Sequence, residues 1–200
     1  NIKKGDLFIA LKGKNHHGID FLNQNLINKA SHIISDIKID SDKFTLVDNS
    51  RRFLLYFASS FRDKIKTKII GITGSNGKTS TKELLKDFLK TKYSISYSKG
   101  NHNTTISLPL SLLACDIDSD YCILEMGASK TGEIEILSDI CKPNFGLITN
   151  ISEAHIEGYE NFNDLVETKL ALYESINNSN GMFFLNKDDL NIYNSCNIKS

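Results

Sequence analysis

The chain has no excess of charge of either sign. Its 24 Lys and Arg residues balance 24 Asp and Glu, for a formal net charge of zero, which argues against a dedicated DNA, RNA or polyanion binder. Long apolar runs are also missing. None approaches the roughly 18 residues a membrane span needs, and no apolar signal region opens the chain. Proline is scarce at 2 residues, and Gly stands at 12, so glycines that cluster are informative. Internal repeats and low-complexity segments are absent. The four cysteines, Cys115, Cys122, Cys141 and Cys196, form no C-x-x-C pair, and no His stands at zinc-ligand spacing from them. Reduced structural cysteines in a cytoplasmic protein are therefore expected. Hydrophobic residues at 40% and charged residues at 24% exclude wholesale disorder.

What is present reads as α/β, in two regions. In the first, Asp6–Leu11, Ser31–Ser35 and Phe44–Val47 read as strands, while Phe21, Leu22, Leu26 and Ile27 recur at helical spacing. Phe53, Leu54, Phe57, Ala58 and Phe61 mark an amphipathic helix. The polar stretch Asp63–Lys68 reads as a hinge, giving expected domains of residues 1–66 and 67–200. In the second region, strands at Lys68–Thr73, Tyr93–Tyr97, Tyr121–Glu125, Phe145–Thr149 and Gly181–Leu185 alternate with helices. The helices fall at Lys78–Leu89, Leu108–Leu113, Glu133–Cys141 and Phe162–Ile176. That alternation predicts a mostly parallel sheet covered on both faces, with ligands at the C-terminal strand ends.

The most specific motif is Gly71-Ile72-Thr73-Gly74-Ser75-Asn76-Gly77-Lys78-Thr79, where a strand runs through a glycine-containing turn into a helix. Backbone N–H groups and the helix N-terminus in such a turn face an anion and cradle phosphates. Lys78 would reach the β- and γ-phosphates and the Thr79 hydroxyl would bind Mg²⁺. The match to G-x-x-x-x-G-K-[ST] departs at its first glycine, where Ile72 stands. A helix start carrying a chance Gly-Lys-Thr is the competing reading.

Three further positions bear on the same chemistry. The apolar strand Tyr121–Glu125 ends in an acid that would sit beside the phosphate loop as a Mg²⁺ ligand, an ordinary strand-end glutamate being the competing reading. The strand Phe145–Thr149 runs into Asn150, with Glu153 and His155 close behind. Phe162, Leu165, Val166, Leu172, Tyr173 and Ile176 lie on one helix face, and the missing position of that stripe is Lys169. An inward amine loses solvation, which favours its neutral, nucleophilic form, able to take up CO₂ as a carbamate. A lysine snorkelling at the stripe's edge is the alternative.

The run Thr73-Gly74-Ser75-Asn76-Gly77-Lys78-Thr79-Ser80-Thr81 resembles the loop of the ATP-dependent Mur ligases of peptidoglycan synthesis. Leu124–Ser129, Thr149–His155 and Thr168–Tyr173 resemble further segments of that family, in the right order and spacing. The resemblance implies a central P-loop ATPase domain preceded by a UDP-muramoyl-peptide-binding domain and followed by an amino-acid-binding domain. It implies ATP contacts from Gly74, Ser75, Asn76, Gly77, Lys78, Thr79, Ser80 and Asn150. It also implies Mg²⁺ ligands from Thr79, Glu125, His155 and a carbamylated Lys169, with Lys78, Glu125, His155 and Lys169 as the catalytic set.

Within the family, Gly5–Gly13 and His17–Phe21 resemble the UDP-binding domain of the two later enzymes of the pathway. Lys99–Asn103, Ile106–Leu113 and Asn186-Lys187-Asp188-Asp189-Leu190-Asn191 are similar to the members that add D-alanyl-D-alanine to UDP-N-acetylmuramoyl-tripeptide. Asn101, Asn103, Thr104 and Thr105 would then meet substrate. Thr104-Thr105 and Ser107 depart from that pattern, and the first two are nearer the members that add the third amino acid. An upstream Ser/Thr-Arg motif and the last domain are not in the chain, so it is expected to be part of a three-domain monomer and inactive by itself. A nucleotide- and UDP-sugar-binding module without catalysis, and a small-molecule P-loop kinase, are the competing readings.

Overall fold

A computed structural model describes residues 2–153 and 156–196. The chain divides into two compact units, Asn1–Phe57 and Ala58–Ser200.

The first unit carries a three-stranded parallel sheet in the order β1 (Leu7–Ala10), β2 (His32–Ser35), β3 (Phe44–Leu46). The apolar positions read as one helix fall in two pieces, a 3₁₀ turn at Gly18–Phe21 and α1 (Gln24–Lys29). The break has a local cause: Asn23 is extended and its side chain accepts the Leu26 N–H, capping α1. Ala10, Ala30, Ile33, Ile34 and Leu54 are buried here. Helix α2 (Ser50–Arg62) forms where the apolar stripe was read, and the division between the units falls inside it.

The second unit is a five-stranded, all-parallel sheet of β4 (Lys68–Thr73), β5 (Ile95–Tyr97), β6 (Tyr121–Glu125), β7 (Phe145–Ile148) and β8 (Met182–Phe184). The strand order is β5-β6-β4-β7-β8. Helix α3 (Lys78–Leu89) sets Leu85 and Leu89 against Ile70, Ile72 and Ile123 on one face. Helices α4 (Ser107–Leu113), α5 (Glu133–Cys141) and α6 (Phe162–Asn178) pack with one another and the strands. The helix α6 buries Leu165, Leu172 and Ile176, each contributing about 2 kcal/mol by area removed from water. An edge-to-face pair of Tyr173 and Phe183, with centroids 5.2 Å apart, ties α6 to β8. A short helix unforeseen in the sequence, α7 (Leu190–Ser195), follows β8.

The expected parallel α/β sheet is thus present. Strand β4 is its topological switch point, with β6 on one side and β7 on the other, where a crevice opens at the C-terminal strand ends. All four cysteines are free and buried. Among the described residues no helix is long and apolar enough to cross a membrane.

Candidate nucleotide site

Strand β4 is buried from Ile69 to Thr73 and delivers the glycine loop to the switch point. Gly74 has φ +143°, and a Cβ there would lie 2.0 Å from Thr149 Oγ1, so only glycine lets the loop run this close to the end of β7. Gly77, at φ 78°, starts α3 without a side-chain cap. The first-turn amides of α3 therefore remain available to an anion, reinforced by the helix dipole. Lys78 Nζ donates to the carbonyls of Gly74 (2.7 Å) and Ser75 (3.1 Å). Burial lowers the Lys78 pKa, and the nearby Glu125 charge opposes that shift.

The turn after β7 holds the loop through backbone and side chains alike. Ser75 N–H donates to Asn150 O (2.8 Å), and Asn76 N–H donates to Asn150 Oδ1 (3.1 Å). In return Asn150 Nδ2 and Thr149 Oγ1 donate to Asn76 O, at 3.1 and 2.6 Å. Ser152 adds three links, its N–H donating to Ser75 Oγ (2.9 Å), its carbonyl accepting from Ser75 Oγ (3.0 Å) and its Oγ accepting from Asn76 Nδ2 (3.3 Å). Asn150 therefore acts on the loop's shape directly. The partners Thr149 and Ser152 were not anticipated as loop supports.

Glu125, 1% exposed at the end of β6, is the hub of the opposite wall. Its carboxylate accepts from Thr79 Oγ1 (2.8 Å) and from Asn103 Nδ2 (2.8 Å). Lys82, wholly buried on α3, lies 3.7 Å from the same carboxylate and donates to Gly100 O at 2.7 Å. Sequence reasoning missed Lys82. The signal was available, because Lys82, Leu85 and Leu89 share one stripe of α3 in the way Lys169 shares the stripe of α6.

Lys169 is 5% exposed on α6. Burial, and then the charge of Lys78, push its pKa down to about 8. Among the described residues no carboxylate pairs with it. The reading of an inward lysine holds, and the snorkelling alternative fails on its burial. His155 lies outside the described residues. Of the four positions expected to meet substrate, Asn103 joins Glu125, whereas Thr104 turns to Ser107 Oγ (3.0 Å) at the start of α4. Asn101 is exposed, its carbonyl accepting the Asn103 N–H (2.8 Å), and Thr105 is buried. Ser80 is exposed on the first turn of α3.

The donor set at this loop is oxygen-rich: the Thr79 hydroxyl and the Glu125 carboxylate, already in contact. That suits a hard cation such as Mg²⁺. Among the described residues no three His, Cys, Asp or Glu side chains gather as metal ligands. In the first unit a separate cavity of about 570 Å³ is lined by Lys12, Lys14, His16, His17, Asp36 and Asn49, among others. His17 Nδ1 accepts the Ile19 N–H (3.3 Å), so its Nε2 carries the proton donated to Asp36 Oδ1 at 2.8 Å.

Residues 72–199 match the Mur ligase middle domain. The chain is 38% identical to the UDP-N-acetylmuramoyl-tripeptide–D-alanyl-D-alanine ligase of Rickettsia prowazekii, over 98% of this chain and 42% of that protein. It is 32% identical to the enzyme of the same name from Bacillus subtilis, over 100% of this chain and 45% of that one. The chain thus spans less than half the length of these curated relatives. Among solved structures, MurF ligase from Thermotoga maritima in complex with ADP superposes with a TM-score of 0.80 at 36% identity, covering 88% of this chain and 41% of that one. MurF from Acinetobacter baumannii gives 0.82 at 30% identity, covering 88% and 39%. The loop motif, the acid ending β6, the inward lysine of α6 and these matches agree, and the chain belongs to the Mur ligase family.

Proposed function

We propose that the chain is part of a cytoplasmic, monomeric ligase joining D-alanyl-D-alanine to UDP-N-acetylmuramoyl-tripeptide at the expense of ATP. The observation that carries this reading is Lys169, a buried amine beside the phosphate-loop lysine with no carboxylate partner among the described residues. Two ammonium groups sharing a dry site repel each other. Lys169 loses one proton to become the neutral amine, and carbamylation by CO₂ with loss of a second proton turns it into an anion that Lys78 stabilises. A carbamate adds oxygen donors to those of Thr79 and Glu125, a set that would hold Mg²⁺. When bound, the metal ion neutralises charge building on the transferring phosphoryl group.

The chain's own groups then act by position and charge. The loop amides and the open N-terminus of α3 hold the ATP phosphates. Lys78 exchanges its bonds to Gly74 O and Ser75 O for phosphate oxygens. The substrate carboxylate attacks the γ-phosphorus and ADP leaves. The amine of D-alanyl-D-alanine then attacks the acyl phosphate, and inorganic phosphate and a proton depart. We assign residues 1–66 to UDP-substrate binding and 67–200 to nucleotide binding. The cavity's size suits a nucleotide-sugar, and Lys12 and Lys14 on its wall, beside Asp20, Asp36 and Asp48, are the cations that would meet a pyrophosphate.

Replacing Lys78 with Ala in the natural-length enzyme is expected to reduce ligation by about 10²–10³-fold or more. The measurement is phosphate release dependent on both the UDP-tripeptide and D-alanyl-D-alanine. A variant retaining near-normal turnover would overturn the assignment. A second reading, nucleotide and UDP-sugar binding without catalysis by these 200 residues alone, is favoured by the coverage of less than half of the relatives. Mixing the isolated chain with all substrates separates the two, and ligated product would exclude the second.

A further inference from the structure

We propose that the segment Asn186–Asn191 is a clasp that sets the phosphate loop for nucleotide, with Asn186, Asp189 and Asn191 as positioning residues. The proposal rests on the reading of the loop as a nucleotide site. The segment sits after β8, two strands from the loop in the sheet order, and reaches it through the turn after β7.

Each of the three side chains holds backbone of that turn. Asn186 Nδ2 donates to Thr149 O (2.8 Å), Asp189 Oδ2 accepts the Ile151 N–H (2.7 Å), and Asn191 Nδ2 donates to Ile151 O (3.2 Å). Thr149, Asn150 and Ser152, which are these anchored residues or their direct neighbours, grip Ser75 and Asn76. A displacement of the turn is therefore felt at the loop amides. Ile192 of α7 packs in one cluster with Ile148 and Ile151, which fixes the clasp from below.

The side chains of Asn186 and Asp189 are each divided between two tasks. Asp189 Oδ1 accepts from Asn191 N–H (3.0 Å) and Ile192 N–H (3.2 Å), capping α7, while Oδ2 alone faces the turn. Asn186 Oδ1 accepts the Asp188 N–H (3.1 Å), shaping its own turn, while Nδ2 alone reaches Thr149. Cap and clasp can therefore be separated by isosteric exchange. Asp189→Asn keeps an N-cap as good as the original, yet turns an NH₂ donor toward the Ile151 N–H. Asn186→Asp keeps the acceptor for Asp188 and sets a carboxylate oxygen against Thr149 O.

The test is a calorimetric titration of MgADP into the natural-length protein, with steady-state ligation measured in parallel. Asp189→Asn is expected to weaken MgADP binding by about tenfold, the scale of one charge-assisted hydrogen bond lost. The KM for ATP should rise by a similar factor, with kcat and the KM for D-alanyl-D-alanine near wild type. A purely structural role would instead lower the melting temperature and leave the affinity of the folded fraction unchanged. MgADP binding by Asp189→Asn within twofold of wild type would overturn the clasp. If that variant does not fold, Asn186→Asp carries the same expectation and the same refuting result. A wild type that binds MgADP but joins no D-alanyl-D-alanine would sink the ligase reading and leave the clasp to be decided by the variants. A wild type that binds no MgADP would end both.

Discussion

A lysine taken out of water must be paired, neutralised or left as a cost, and the second unit contains two that solve this differently. Lys82 is paired, with Gly100 O at 2.7 Å and the carboxylates of Glu83 and Glu125 at 3.3 and 3.7 Å. Lys169 has no such partner among the described residues and its pKa falls to about 8. Below pH 8 Lys169 is charged both folded and unfolded, and the burial penalty is present in full. As pH rises from 8 toward the ordinary 10.5, the folded form sheds its proton first and the penalty is relieved. In bicarbonate-free buffer at pH 7, Lys169→Met should therefore raise stability by about 2 kcal/mol, a gain that fades by pH 10. Lys82→Met should lower it by about 3 kcal/mol, since it leaves Glu125 and the Gly100 carbonyl without their cation. Urea denaturation reads both, and a stabilised Lys82→Met or a destabilised Lys169→Met would reverse the division drawn here. Adding ¹³C-bicarbonate to the wild type should give a carbamate resonance that Lys169→Met lacks. Both lysines were legible as charges on apolar stripes. Their different fates were not, because Gly100 and Glu125 reach Lys82 only through the fold.

Among the elements, periodicity located most clearly those that bury a face, such as β4, β6, α5 and α6. It did not find α7, whose six residues bury a single side chain, Ile192, and begin at a cap. The motif around α7 stood out by resemblance alone, and its task became visible only when β8 returned it to β7. The stretch read as a hinge, Asp63–Lys68, follows directly on α2. The α2 terminus is held by Arg62, whose guanidinium donates to Cys141 O (2.6 Å), Lys142 O (3.0 Å) and Asn144 Oδ1 (3.0 Å), and more distantly to Ile65 O and Thr67 O. Asn144 Oδ1 also accepts the Ile69 N–H at 2.9 Å, so the same group registers β4 against the turn before β7. Lysine cannot reproduce a planar fork of donors. Arg62→Lys should cost about 2 kcal/mol, most of the loss of Arg62→Ala. A Lys variant as stable as wild type would show that the charge alone suffices.

For the whole chain, zero net charge excluded a polyanion surface but concealed how charge is placed. Lys78, Lys82 and Lys169 converge with Glu125 on the C-terminal ends of β4, β6 and β7, where the sheet order reverses. A parallel sheet with its switch strand feeding the phosphate loop makes nucleotide binding and sheet stability one equilibrium. A ligand bound only to the folded form at about 100 times its Kd adds about 2.7 kcal/mol. Amides of β4 and β6 that exchange through opening of the second unit should therefore slow by about a hundredfold in saturating MgADP. Amides of Ser75, Asn76 and Ile151 should be protected further by direct order at the loop and its turn. Those of Ile33 and Ile34 in β2 report the opening of the first unit, which holds none of the nucleotide-site residues, and are expected to keep their rates. Hydrogen exchange read by mass spectrometry resolves these segments. Equal slowing of β2 and β4 would mean that the two units open as one, and unchanged rates in β4 would mean that the loop does not bind MgADP.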